Sequence, residues 1–313
     1  MKRNDAKQVY DIPAYNKLFP FMMRRRCDSL VYHTFDLDVT KAVEYIHNYN
    51  KTKPEVRLKL FYIICSALLR TFALRPELNR FIAKNRYWQR NELSLNFVVK
   101  SDYTDDALET SSPLVFNPEG TLDEYAKILD SYISQCKAVT ESNDTDRAVE
   151  FFTRFTNWVI NFVVTFAGFL DRGGKATKIL AEADGLHTSM FITNLGSIGI
   201  TGGSPLHHLY EWGTTSIFVA IGGIERKRDF DEEGKVISIK DTVKVGVTVD
   251  ERITSGFYVV KSMLLMQNLI NSPEELQKKP VLPPPTLTKK EYKQKIRTAN
   301  KERKRANKES KSK

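Results

Sequence analysis

The stretch from residue 236 to residue 270 constrains the fold most, because a strand, a charged turn and a helix follow one another there. Residues 236–249 are predicted to form two strands, and the second, residues 244–249, ends directly before the turn. The turn contains Asp250, Glu251 and Arg252. Residues 255–270 are predicted to form a helix that packs behind the strand. Charged side chains at the end of such a strand are the first candidates for a functional site.

Strands and helices alternate along the whole chain of 313 residues. The apolar periodicity predicts these elements: strands at 29–38, 81–83, 95–99, 189–193 and 216–221, and helices from 38, from Pro54 to about 74, from the N-cap Thr121 to 139, and from about 145 to 170. This interleaving favours an α/β or α+β domain over a helix bundle or a β-sandwich.

Residues 158–170, within the helix predicted from about 145, are strongly apolar. Thirteen residues are too few to span a bilayer, which requires about 20. We expect a buried helix or a channel wall, and a helix lying on a membrane surface is the alternative.

The net charge of +10 comes almost entirely from the end of the chain. Residues 289–313 contain 12 basic and 3 acidic residues, which leaves 36 basic and 35 acidic residues for the rest. We therefore expect one folded domain over residues 1–285 and a basic tail over 286–313, disordered or a frayed helix, separated by the proline-rich segment Pro280–Pro285. The tail is suited to contact anionic surfaces, but the neutral body argues against specific nucleic-acid binding.

The cysteines indicate a reducing compartment. Cys27, Cys65 and Cys136 are odd in number, far apart and without the spacing of metal ligands. We expect three buried free thiols, no metal site and a cytoplasmic location. The polar N-terminus shows no secretory signal.

Three stretches in order resemble the catalytic domains of dihydrolipoamide acyltransferases and chloramphenicol acetyltransferases. They are Asp36–Thr40 after a strand, Phe191–Gly199 with its Thr-Asn-Leu-Gly run, and Val245–Pro273. The third stretch contains the charged turn described above, which we call the signature turn because it corresponds to the active-site signature of these enzymes. The segment Pro205–Ser216 is similar to the stand-alone bacterial members of this family, in which no lipoyl domain or peripheral-subunit-binding domain precedes the catalytic domain.

The resemblance implies a chloramphenicol acetyltransferase-like fold, a two-layer α+β sandwich with a mixed sheet and flanking helices. It also implies a homotrimer whose active sites lie between neighbouring subunits. Coenzyme A and acyl-CoA are expected as substrates, with no tightly bound cofactor, and the acyl acceptor is a small thiol, hydroxyl or amine.

The signature departs from the family pattern at two positions. Asp250, Arg252 and Gly256 match it, but Glu251 replaces the catalytic histidine and Ser255 replaces the second aspartate. An imidazole with a pKa near 6.5 suits proton abstraction at neutral pH, whereas a glutamate with its usual pKa of about 4.3 is a weaker base. Burial in an apolar channel raises a carboxyl pKa by up to about 3–5 units, which would make a glutamate a workable base.

The sequence leaves two functions open. In the first, Glu251 is the base and the Thr193 hydroxyl lies near the oxyanion, with Asp250 and Arg252 holding the loop and Ser255 beside them. A base supplied by His207 or His208 is a variant of this function. In the second, the chain is an inactive relative, its channel blocked by Phe257 or Tyr258, that binds a ligand or partner as a trimer; Ser255 is then simply a helix N-cap.

Overall fold

The computed structural model describes residues 3–102, 104, 107–138, 154–174, 184–203 and 205–310. The strands are β1 Ala6–Gln8, β2 Leu30–Asp38, β3 Arg80–Ala83, β4 Arg86–Arg90, β5 Leu93–Lys100, β6 Glu109–Ser111, β7 Leu114–Phe116, β8 Met190–Asn194, β9 Ile217–Phe230 and β10 Val236–Asp250. The helices are α1 Phe19–Met22, α2 Thr40–Lys51, α3 Leu60–Leu74, α4 Leu122–Lys137, α5 Asn157–Arg172, α6 Gly256–Asn271 and α7 Lys289–Ser310.

A seven-stranded mixed sheet forms the centre of the fold. Its order is β2-β10-β9-β8-β5-β6, and β7 pairs with the first half of β5. β5, β8 and β9 run parallel, whereas β10 is antiparallel to both β9 and β2. A separate three-stranded sheet has the order β1-β4-β3. The predicted α/β fold class is confirmed.

Helices α2, α3, α4 and α6 cover one face of the large sheet. Alternate valines of β10, Val245, Val247 and Val249, point into this layer and are buried, as the period of two in a strand requires. Helix α3 is apolar almost all round because it lies inside the layer, where residues 62–72 are all buried. Because β10 ends at Asp250, directly after these buried valines, the signature turn lies at the edge of the core.

The opposite face of the sheet is covered in part by the segment Pro205–Thr215. A Cβ atom added at Gly246 would lie 1.6 Å from the carbonyl oxygen of Pro205, so only glycine allows the segment to cross the sheet there. Further along, the ring of His207 stacks on Phe218 at 3.9 Å, and Leu209 is buried. The segment therefore belongs to the packed structure.

Several predicted boundaries shift. The helix expected from Pro54 begins at Leu60, the two strands expected within 236–249 are one strand, β10, and β4 was not predicted. Thr121 is confirmed as an N-cap, because its hydroxyl accepts from the Glu124 amide and the Glu124 carboxylate accepts from the Thr121 amide, which makes a capping box. Cys65 and Cys136 are buried but Cys27 is exposed, so the expectation of three buried thiols is wrong for Cys27.

The apolar helix of residues 158–170 is where the structure differs most from expectation. Its described part, α5, is largely exposed, with Trp158 and Phe162 among the most exposed aromatic residues, so the prediction of a buried helix is wrong for the single chain. The predicted start near residue 145 lies outside the described residues. None of the described helices is both long enough and apolar enough to cross a membrane.

In the basic tail, residues 289–310 form one helix, α7.

Candidate functional site

Asp250 and Arg252 form a buried ion pair at the end of β10. The guanidinium group of Arg252 donates to both carboxylate oxygens of Asp250, from Nε at 2.8 Å and from Nη2 at 2.7 Å. The backbone amide of Arg252 also donates to Asp250, at 3.1 Å. A two-pronged pair of this kind fixes the turn between the two residues.

Two further residues complete what we call the signature cluster: Asp250, Arg252, Ser29 and Arg26. The Ser29 hydroxyl donates to Asp250 Oδ1 at 2.9 Å, and Arg26 Nε lies 4.0 Å from Asp250 Oδ2. Arg26 also donates to the backbone carbonyls of Tyr210, Trp212 and Gly213. Burial lowers the pKa of Arg26, although the Asp250 carboxylate opposes this shift. The cluster thus joins the signature turn to the segment that covers the sheet.

Glu251 lies between the two members of the ion pair. Its backbone amide donates to the Ser29 carbonyl at 2.9 Å, which extends the pairing of β10 with β2 by one bond. Its side chain is exposed. Within the described parts of the chain, we find no hydrogen-bond or ion-pair partner for its carboxylate. The turn therefore holds the backbone of Glu251 in place and leaves its carboxylate unengaged.

Ser255 is the N-cap of α6, because its hydroxyl accepts a hydrogen bond from the Tyr258 amide at 3.3 Å. The Tyr258 ring lies under the guanidinium group of Arg75, 3.6 Å from its carbon. Phe257 points away from the body and is 73% exposed. In the single chain, neither aromatic ring packs against Glu251 in a way that gives it apolar surroundings.

Thr193 is the fourth residue of β8, half-buried, and lies beside Ala220 of β9. Asp250 lies beside the start of β9, where its amide donates to the carbonyl of Ser216, four residues before Ala220. From the strand register, Thr193 and Glu251 of one chain are about 15–20 Å apart. One chain therefore does not bring the two predicted catalytic residues together.

The two adjacent histidines belong to an aromatic stack. His207 stacks on His208, whose ring centroid is 4.8 Å away, as well as on Phe218, and Tyr210 packs against both imidazoles. His207 Nδ1 lies 2.7 Å from the His208 carbonyl oxygen. These contacts assign the pair a packing role over the sheet.

A second buried charged group, which the sequence did not reveal, attaches α5 to the body. We call His187, Asp171, Asp184 and Arg3 the anchor cluster. His187 Nε2 lies 3.4 Å from Asp171 and Nδ1 lies 3.3 Å from Asp184. Arg3 donates to the carbonyl and the carboxylate of Asp171, and the Trp212 indole donates to Asp184.

The anchor cluster is electrostatically coupled. Burial by itself lowers the pKa of His187, but the Asp171 and Asp184 carboxylates outweigh it and raise that pKa above 6.5. Burial conversely raises the pKa of Asp171, yet His187 and Arg3 lower it below 3.8. At neutral pH the two carboxylates are ionised, and each stabilises the imidazolium form of His187.

A cavity of about 220 Å³ opens where β8 ends beside residues 221–224 of β9, near the first turn of α3. Asn194, Ser197 and backbone of Gly222 and Gly223 supply its polar wall, and Phe61 and Ile64 belong to its apolar wall. No group of three or more potential metal ligands occurs in the described ranges of the chain.

Comparison with known proteins connects these features to one family. Residues 173–277 match the family described as 2-oxoacid dehydrogenases acyltransferase (catalytic domain). This range, about a third of the chain, contains β8, β9, β10, the signature turn and α6, so over this range the match confirms the resemblance to acyltransferase catalytic domains that the motifs indicate. Among curated proteins, none matches the chain.

Solved structures share the fold over most of the chain. A probable dihydrolipoamide acetyltransferase from Listeria monocytogenes 4b F2365 has a TM-score of 0.53 and 13% identity, covering 88% of this chain and 97% of its own. A dihydrolipoamide acetyltransferase from Azotobacter vinelandii, studied for the catalytic role of a serine, a histidine and an asparagine, has the same TM-score and identity, covering 86% and 94%.

A third structure, the cubic core of the pyruvate dehydrogenase multienzyme complex, has a TM-score of 0.53 and 12% identity, with 86% and 94% covered. At such identities the likeness establishes the fold alone. The predicted acetyltransferase-like fold is therefore confirmed.

Proposed function

We propose that this protein transfers an acyl group from acyl-coenzyme A to a small thiol, hydroxyl or amine, with Glu251 as the general base. The single observation that carries this proposal is the intact signature cluster. Its buried ion pair fixes the backbone on both sides of Glu251, while the Glu251 carboxylate has no partner in the described chain. A positioned but unengaged carboxylate is what proton transfer requires.

The reaction balances with these groups. The Glu251 carboxylate accepts the proton of the acceptor as its sulfur, oxygen or nitrogen attacks the thioester carbonyl carbon. The tetrahedral oxyanion that forms accepts a hydrogen bond from the Thr193 hydroxyl. When the intermediate collapses, the carbon–sulfur bond breaks, and the coenzyme A thiolate takes the proton back from Glu251.

The separation of Thr193 and Glu251 supports a homotrimer. Because the strand register places them about 15–20 Å apart in one chain, a shared site needs Thr193 from a neighbouring subunit. Glu251 is exposed in the single chain, so a neighbour must also supply the burial that strengthens a carboxylate base. A cytoplasmic location stays a prediction from the cysteines.

A second candidate is an inactive, ligand-binding relative. The exposure of Glu251 favours it, since an exposed carboxylate lacks the apolar surroundings that suit it to proton abstraction. In this candidate the trimer forms but the Glu251 carboxylate stays hydrated.

Turnover of acetyl-coenzyme A and longer acyl-coenzyme A donors, followed by thiol release, decides between the two. We expect wild-type turnover and a fall of about 10²–10⁴-fold in kcat for Glu251→Gln, the usual cost of losing a general base. Glu232→Gln, in the turn between β9 and β10, is the matched control and should leave kcat unchanged. Wild type without turnover, together with a gain in Glu251→His, would support the inactive relative instead.

A further inference from the structure

Helix α5 presents a row of exposed aromatic side chains, which we call the aromatic stripe: Trp158, Phe162, Phe166 and Phe169. Their exposed fractions are 73%, 63%, 52% and 62%. Spacings of four, four and three residues place them within an arc of about 80° on the helix surface. A stripe this large is uncommon on a protein surface that faces only water.

The stripe carries no exposed acid. The one acidic residue of α5, Asp171, is turned into the protein by Arg3 and His187 in the anchor cluster. Cations lie at the C-terminal end instead: Arg172 is exposed, and Lys84 Nζ lies 5.3 Å from the Phe169 ring. The surface around α5 is thus apolar in the middle and positive at one end.

Helix α7 supplies the largest positive charge of the molecule. Its 22 residues contain ten Lys or Arg and three Glu. Its first two turns are attached to the N-terminal segment, through stacking of Tyr292 on Tyr10 and an ion pair between Lys295 and Asp11 at 2.6 Å. The exposed residues 301–304 that follow add three cations and one Glu.

The β3–β4 hairpin links the two helices. Lys84, at its turn, contacts Phe169 of α5. Tyr87, three residues later, accepts a hydrogen bond from the Val9 amide, and the next residue, Tyr10, stacks on Tyr292 of α7. This path of contacts keeps the end of α5 within about 30 Å of the start of α7, counted along strands at their usual rise.

We propose that the aromatic stripe and α7 together bind the surface of an anionic phospholipid membrane. Trp and Phe side chains of a helix lying in the membrane plane enter the boundary between headgroups and acyl chains, while Lys and Arg meet anionic headgroups. The observation that favours lipid over a second copy of the chain is charge. Lys295 pairs with Asp11, but among the side chains described up to residue 304 we find no ion pair between the other cations of α7 and the body, which is nearly neutral. An anionic bilayer matches both these cations and the stripe.

Co-sedimentation of the full chain with vesicles tests the proposal. One vesicle contains phosphatidylcholine only, and the other contains phosphatidylcholine and phosphatidylglycerol at about 70:30, a strongly anionic composition. We expect binding to the anionic vesicles that weakens as salt rises. The variant Phe162→Ser/Phe166→Ser/Phe169→Ser should bind at least about tenfold more weakly, because its insertion area is lost.

Two further variants separate the contributions. Phe230→Ser removes an equally exposed aromatic residue from β9 and should bind like wild type. Lys301→Gln/Arg303→Gln/Lys304→Gln should lose most of the preference for anionic vesicles. Circular dichroism melting verifies that each variant is folded, and a misfolded stripe variant would be replaced by Trp158→Ser alone, at the most exposed position.

Three results would overturn the proposal: no wild-type binding to either vesicle, binding that the folded stripe variants leave unchanged, or equal losses in the stripe variants and Phe230→Ser. A stripe variant that converts an oligomer to a smaller species in light scattering, with unchanged vesicle binding, would show that a second copy covers the stripe.

Discussion

The molecule contains two buried clusters of charged side chains, and they differ in origin and in chemistry. The signature cluster centres on Asp250 and Arg252, which are two residues apart in sequence. The anchor cluster gathers Arg3, Asp171 and His187 from three distant parts of the chain. The first holds the turn of the proposed active site, and the second holds the exposed helix α5 on the body.

The two clusters differ in whether their cations change charge near neutral pH. The cations of the signature cluster are arginines, and hydrogen bonding to Asp250 raises the pKa of Arg252 against the effect of burial, so its charge persists at any physiological pH. The anchor cluster depends on a histidine, whose charge changes near neutral pH. One cluster should therefore stabilise the fold at constant strength, and the other in proportion to protonation.

Of the substitutions in the two clusters, Asp250→Ala should cause the largest loss of unfolding free energy. It leaves the buried Arg252 guanidinium without its carboxylate, and breaking a buried pair in this way costs about 3–5 kcal/mol of unfolding free energy. Urea denaturation measures the loss. The matched control is Asp229→Ala, which removes an exposed pair with Lys240 and should cost far less, because water and salt screen exposed ion pairs. Equal losses in both variants would show that the signature cluster contributes no special stability.

The loss of unfolding free energy in His187→Gln should be intermediate in size and should depend on pH. A group whose pKa is raised by folding stabilises fully below its unfolded pKa of about 6.5 and loses that contribution as pH rises through the folded value. The difference in unfolding free energy between wild type and His187→Gln should therefore be largest near pH 6 and shrink towards pH 9.

The aspartates set the lower limit of this range, because their pKa values are lowered on folding and their contribution is lost only as pH falls below about 3.8. Denaturation at pH 6, 7.5 and 9 provides the measurement. A pH-independent difference would contradict the ionic role of His187 and leave only its packing against Trp212.

Ser255→Ala should cause the smallest loss of stability. It tests whether the Ser255 hydroxyl stabilises α6 or takes part in the reaction. Loss of an N-cap costs about 1 kcal/mol. Since Ser255 caps α6 and contacts Tyr258, we expect a lower melting temperature with little change in kcat. Ser255→Asp, which restores a capping carboxylate, should recover the stability. A large fall in kcat in Ser255→Ala with unchanged melting would instead assign the hydroxyl to the reaction.

The fold and the Asp250–Arg252 pair of the signature cluster were predictable, but Ser29 and Arg26, which complete that cluster from over 200 residues away, were not. Alternating valines in β10, the capping box at Thr121 and the paired signs of Asp250 and Arg252 are local patterns, so short windows of sequence reveal them. The anchor cluster was not predictable, because Arg3 and Asp171 are 168 residues apart and neither stands in a motif. His187 looked like any single histidine until the structure placed two carboxylates beside it.

The sequence by itself determined the order of the longer helices and most of the central strands, the signature turn and the concentration of positive charge near the end of the chain, because each follows from residues close to one another. Only the tertiary structure decided that α5 exposes its aromatic residues, that Thr193 lies far from Glu251 within one chain, and that His187 lies between Asp171 and Asp184. Apolar periodicity indicates which face of a helix is apolar, but it does not indicate what covers that face. The distances between residues that are remote in sequence are set only when the sheet assembles.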